Sequence, residues 1–111
     1  MTIYCGIKID RDVVIENLER IQRQTFRLLP AKEEGQDCLK PLQTLVIEIS
    51  GLVKIFPDCK ELFTLFTKIL GILNDLDEID FLLFRRCIFE CCSLISKIQE
   101  DFKDEQIIII L

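Results

Sequence analysis

The stretch PLQTLVIEISGLVKIFP, residues 41–57, decides how this chain is read. Leu42, Leu45, Val46, Ile49, Leu52, Val53 and Phe56 recur in steps of three and four between two prolines. On a helix of 3.6 residues per turn that spacing makes one wide apolar face, the pattern of a helix packed on a core. Pro41 is tolerated in a first turn, and Pro57 ends the segment.

Working outward, the same period returns three more times. Upstream, Val14, Leu18, Ile21, Thr25 and Leu28 share one face. Glu16 with Arg20, and Glu19 with Arg23, form i,i+4 pairs in the favourable order on the wet side. Asp10 and Asp12 suit the start of this helix. Pro30 is expected to stop it, leaving AKEEGQD (31–37) as a polar connector. Downstream, Asp58-Cys59-Lys60-Glu61 has the form of a capping signal. A third stripe follows in Leu62, Leu65, Phe66, Ile69, Leu73 and Leu76, with Phe63 and Leu70 adding apolar surface that suggests a central helix. NDLDEID (74–80) supplies a turn and a cap. A fourth stripe then runs through Phe81, Phe84, Ile88, Cys91, Ile95, Ile98 and Phe102 in heptad steps. The expected helices lie near 10–29, 39–56, 59–74 and 78–105.

The two ends break the period. In residues 1–9, Ile3, Cys5, Ile7 and Ile9 alternate with Thr2, Tyr4, Gly6 and Lys8, a strand-like pattern. Residues 107–111 are a continuous apolar tail, which can extend the last helix, form a short strand or dock on the bundle. The fold class is therefore all-α, in a single domain over 1–111. Its architecture is a four-helix bundle or two stacked helical hairpins, with a short β-ribbon from the termini left open.

Composition narrows the function. A chain that is 50% hydrophobic and 30% charged is not disordered. A net charge of −5 opposes binding to phosphate backbones. No apolar run approaches the ~20 residues of a membrane span, and the first residues lack a signal peptide's features. The expectation is a soluble intracellular protein of the cytoplasm or nucleus, with no membrane and no direct nucleic-acid partner.

The one stretch that invites a chemical reading is FLLFRRCIFECC, residues 81–92, with three of the six cysteines. Cys87 and Cys91 share a helix face, while Cys92 points about 100° away from Cys91. Structural metal sites draw thiolates from paired hairpin motifs, and this chain has neither such a pair nor any histidine. Cys38 and Cys59 complete a four-thiolate set only if the fold gathers distant helix ends. Arg85 and Arg86 favour a thiolate nearby, but Glu90 and the phenylalanines oppose it. Buried thiols are the expected state, with Cys91 on the main stripe and Cys87 and Cys92 off it. Acid–base triads, a phosphate-binding glycine loop and a metalloprotease motif are all missing. Asp75, Asp77 and Asp80 do not make a calcium loop, because Ile79 and Asp80 stand where an oxygen donor and a glycine belong. Arg20, Arg23 and Arg27 line a helix edge that reads as a solvated salt-bridge face.

The sequence thus predicts no enzyme, cofactor or metal. It predicts a non-enzymatic protein–protein interaction module: an adaptor, an assembly subunit or a regulatory inhibitor. The expected interface is apolar surface outside the seam, at Leu82, Leu83, Phe89, Leu94, Ile107, Ile108, Ile109, Ile110 and Leu111. Its partner is another protein or a second copy, in a dimer or larger complex. Two alternatives stay open: a thiol- or metal-dependent regulator using Cys87, Cys91 and Cys92, and an accessory subunit of a nucleic-acid-associated complex.

Overall fold

The computed structural model describes the backbone of 2–4 and 7–9, and residues 11–103 in full. Four helices dominate it: α1 (Arg11–Glu33), α2 (Leu39–Ile55), α3 (Lys60–Asn74) and α4 (Phe81–Lys103). They form a bundle of 44 × 20 × 19 Å, two helices wide in each short direction. Each helix packs on the next, and α4 returns against α1 in the most extensive of these contacts. That closure makes a four-helix bundle rather than an open stack of hairpins. Short connections set the helices alternately up and down.

The core is built from the stripes that the sequence displays. Val14, Leu18, Ile21, Thr25 and Leu28 are all buried on α1. Leu42, Leu45, Ile49 and Leu52 are buried on α2, and Leu62, Leu65, Ile69 and Ile72 on α3. Phe84, Ile88, Cys91, Ile95, Ile98 and Phe102 complete it from α4. Thr25 is accommodated because its hydroxyl donates to the Ile21 carbonyl at 2.7 Å, so that hydroxyl is not left bare. On α3 the inward position is Ile72, with Leu73 only half-buried. Phe63 is 60% exposed, so α3 is no more central than its neighbours.

The ends of the helices correct the reading of prolines. Pro30 does not stop α1, which continues to Glu33. A proline this close to the end removes only the bond its own N–H would give to residue 26, and the last turn forms around it. The stop is Gly35. Its N–H bonds the Lys32 carbonyl at 3.2 Å, and Gln36 N–H bonds the Ala31 carbonyl at 2.8 Å. With φ of +75° at Gly35, this is a Schellman cap. The extra turn places Lys32 so that its Nζ donates to the Leu76 carbonyl at 3.1 Å and lies 5.8 Å from the Phe84 ring centre.

The other caps fall one residue from expectation, or on it. Cys59, not Asp58, is the N-cap of α3 and makes no side-chain capping bond. Its thiol instead sits 3.9 Å from Glu61 Oε2. Asp80 caps α4 as expected, its Oδ1 accepting from Leu83 N–H at 2.9 Å, so α4 starts at Phe81 and not near residue 78.

The strand-like N-terminal segment is two strands, not one. β1 (Thr2–Tyr4) and β2 (Ile7–Ile9) pair antiparallel, with Tyr4 opposite Ile7 and Thr2 opposite Ile9. The ribbon is therefore internal to the N-terminal segment, and the proposed tail strand at 107–111 lies outside the described residues, as does Asp10.

Two glycines test the cap. At Gly35 a Cβ meets nothing within 4 Å, so alanine there costs only the left-handed backbone, about 1–2 kcal/mol. Gly71 lies inside α3 with equally open space, and alanine there should stabilise by about 0.5–1 kcal/mol. Urea midpoints of Gly35→Ala and Gly71→Ala should move in opposite directions.

Candidate functional site

Among the residues nominated for chemistry and for contact, Leu82, Leu83, Cys87, Phe89, Cys91, Cys92 and Leu94 sit on α4, whose neighbours divide them. Toward α1, Gln22 Nε2 donates to the Cys92 carbonyl at 2.9 Å and to Ser96 Oγ at 2.8 Å. One turn along, the Phe26 and Phe89 rings meet edge to face at 5.9 Å. Toward α3, Lys68 pairs with Glu90 at 3.0 Å and Lys97 with Glu61 at 3.6 Å. The Lys68 ammonium bonded to Glu90 holds that carboxyl below its usual range.

The three clustered thiols are divided by this packing. Cys91 is 0% exposed in the seam, and Cys92 is 4% exposed toward α1; only Cys87 is half-buried. Cys92 lies off the main stripe, as expected, yet is as fully part of the core, because α1 covers that flank of α4. Burial pushes Cys91 up to about 12 and Cys92 up to about 11. Neither arginine offsets this. Arg85 lies 5.2 Å from the Phe89 ring centre, and Arg86 pairs with Glu90 at 3.6 Å. The cation that acts on Cys91 is Lys68, and burial outweighs it. A thiol held neutral at physiological pH is a poor nucleophile and a poor ligand.

Cys38 and Cys59 cannot join this cluster. They cap opposite ends of the bundle, before α2 and before α3, roughly 25 Å apart by helix rise. Among the described residues no three His, Cys, Asp or Glu side chains converge as a metal-holding group.

The expected contact residues fall on two sides of α4. Leu82 is 76% exposed and Phe89 43% exposed on the outer face that continues onto α1. Leu83 and the half-buried Leu94 follow the α3 side by helical phase, and Leu94 packs against the core. Ile107 to Leu111 lie outside the described residues. Sequence reasoning missed Phe26, which is 41% exposed and completes the outer patch. Its signal was an aromatic residue one position off the α1 stripe, on the otherwise charged side.

The arginine edge is also rearranged. Arg20 does not pair along its own helix; Nη1 crosses to Glu48 Oε1 on α2 at 2.7 Å. Beside this bridge α1 and α2 make the thinnest of the four contacts between helices that lie side by side, and a cleft of about 490 Å³ opens among Gln24, Arg27, Lys40 and Thr44.

No family model, curated protein or solved structure matches this chain. Its class rests on its own geometry: a closed four-helix bundle with interior thiols and an apolar patch on its outer α1/α4 face.

The interior thiols set a serine scan and a pH limit. Cys91→Ser and Cys92→Ser should each destabilise by about 1–3 kcal/mol through a buried hydroxyl, with Cys87→Ser nearly neutral. Native labelling under reducing conditions should modify Cys87 before Cys91 and Cys92. Both buried thiols hold their protons more tightly in the native chain than at the ordinary value of 9.0. Their contribution is full below pH 9 and is lost as pH rises through about 11 and 12. Cys91→Val should flatten the fall in urea midpoint over that range.

Proposed function

We propose that the protein is a non-enzymatic interaction module, an adaptor, assembly subunit or regulatory inhibitor, that engages another chain through the outer face of α4 and its α1 neighbour. The observation that carries this reading is the exposed pairing of Phe26 with Phe89, with Leu82 two turns from Phe89 on the same side of α4 by helical phase. Phe26 and Phe89 already touch, yet each leaves over 40% of its surface in water. Ile47 on α2 and Phe63 on α3 are more exposed than either ring, but single exposed apolar residues are ordinary for a protein surface. A contiguous aromatic and aliphatic patch is not.

At roughly 25 cal/mol per Å², covering such side chains supplies the driving force of a contact, and aromatic anchors concentrate it. The thiol-based alternative gains no support from Cys91 and Cys92, which are buried and hold their protons tightly. The nucleic-acid alternative gains none from a net charge of −5 and an Arg20 already committed to Glu48. No helix among the described residues is long and apolar enough to cross a membrane, so this face is not explained by a span.

The test is a paired capture with the full chain as bait. Leu82→Glu with Phe89→Ser should abolish recovery of every specific associate, copies of itself included, while helical circular dichroism is retained. Undiminished recovery by this double variant would place the contact elsewhere.

A further inference from the structure

We infer that the cleft between α1 and α2 binds a small phosphorylated molecule, with its phosphate held between Arg27 and Lys40. The site lies in the α1/α2 seam and does not depend on the contact face between α1 and α4.

The Arg20–Glu48 bridge sets the register of these two antiparallel helices. One and two turns farther along, that register puts Gln24 opposite Thr44 and Arg27 opposite Pro41, with Lys40 next in line. All five line the cleft of about 490 Å³. Arg27 belongs to its α1 wall and Lys40 to its α2 wall, so each side of the cleft carries a cation. Neither makes an ion pair among the described residues. The seam closes where a cation meets a carboxylate and opens where cation stands against cation. An anion between the two would do for the open end what Glu48 does for Arg20.

The remaining lining suits that anion. Gln24 makes no side-chain hydrogen bond among the described residues, and its Oε1 is buried without a donor. Its Nε2 is therefore the accessible end of the amide, a third donor beside the two cations. Asp37 is the carboxylate in the lining, and its Oδ1 already accepts from Leu39 N–H at 2.9 Å. Leu28, Ala31 and Pro41 add an apolar wall.

The donors and charges select a phosphomonoester over a carboxylate. A phosphomonoester brings three terminal oxygens and a charge of about −1.5 to −2. That matches one guanidinium fork, one ammonium and one amide. A carboxylate has one charge and leaves a cation bare. Small-molecule sites run to roughly 300–1,000 Å³, a range that includes this cleft and far exceeds a single inorganic ion. The ligand is then a phosphate ester whose apolar body lies on Leu28, Ala31 and Pro41. The net charge of −5 disfavours an extended polyanion on the surface, but a cleft walled by two cations focuses its own local field.

The test is a titration of the full chain at constant ionic strength, read by backbone and side-chain amide NMR shifts. Phenyl phosphate is the probe, with inorganic phosphate and benzoate for comparison. Phenyl phosphate should give saturating shifts that converge on Gln24, Arg27 and Lys40. It should bind at least threefold tighter than inorganic phosphate and tenfold tighter than benzoate. Arg27→Gln and Lys40→Gln should each weaken it at least tenfold. Both side chains are exposed, so these variants keep the fold, which helical circular dichroism checks. Arg23→Gln, an exposed α1 arginine outside the cleft lining, should leave binding unchanged. Shifts that rise without saturating, or that spread over every basic residue, mean an adventitious ion only and overturn the inference. Benzoate binding as tightly as phenyl phosphate overturns it too, as does an Arg23→Gln loss equal to that of Arg27→Gln. Inorganic phosphate matching phenyl phosphate overturns the assigned apolar body.

Discussion

The return of α4 against α1 is the contact on which the rest of the molecule depends. Its two polar anchors come from one side chain, the Gln22 amide, which donates both to the Cys92 carbonyl and to Ser96. Around that anchor, Ile21 and Leu28 on α1 share one continuous core with Ile88, Cys91 and Ile95 on α4. Without this seam, α1 with α2 and α3 with α4 would be two hairpins, each with an apolar side in water. Closure also fixes the α1/α4 face. It buries Cys92 and sets Phe26 against Phe89.

The far end of the bundle is held in a complementary way. Phe56, just past α2, and Phe102, near the end of α4, lie edge to face at 4.9 Å across the core. Such aromatic pairs add about 0.5–1.5 kcal/mol beyond their burial. Two diagonal helices are thereby linked where α1 and α3 begin. The thinner α1/α2 contact relies more on the Arg20–Glu48 bridge, which is partly exposed and correspondingly weak.

Much of this architecture was legible in the sequence, for a definite reason. A stripe such as Leu42, Leu45, Ile49 and Leu52 needs no knowledge of its neighbours to be recognised, since helical phase alone separates inside from outside. What phase could not reveal was which neighbour covers each flank. Cys92 looked peripheral because it lies off the α4 stripe, and it is buried because α1 arrives there. Arg20 looked paired to Glu16, and it reaches across to Glu48. Phe26 went unread for the same reason, its importance residing in Phe89 on another helix. At the helix ends, Pro30 was weighted as a stop when the conformational demand was met by Gly35, five residues later. Local rules located the elements; the contacts that build the face are between elements.

The turn added to α1 beyond Pro30 has a consequence for how the molecule opens. Lys32 bridges that turn to the Leu76 carbonyl and to the Phe84 ring, so α1, the loop before α4 and the first turn of α4 share one side chain. Fraying of the α1 terminus therefore removes a cation from the mouth of that loop as well. The end of α1 and the loop at 75–80 are thus tied by one side chain, which links their local opening. A deletion of Pro30 or Ala31 would rotate Lys32 by about 100° and break that contact, although it lies in what resembles a tolerant connector.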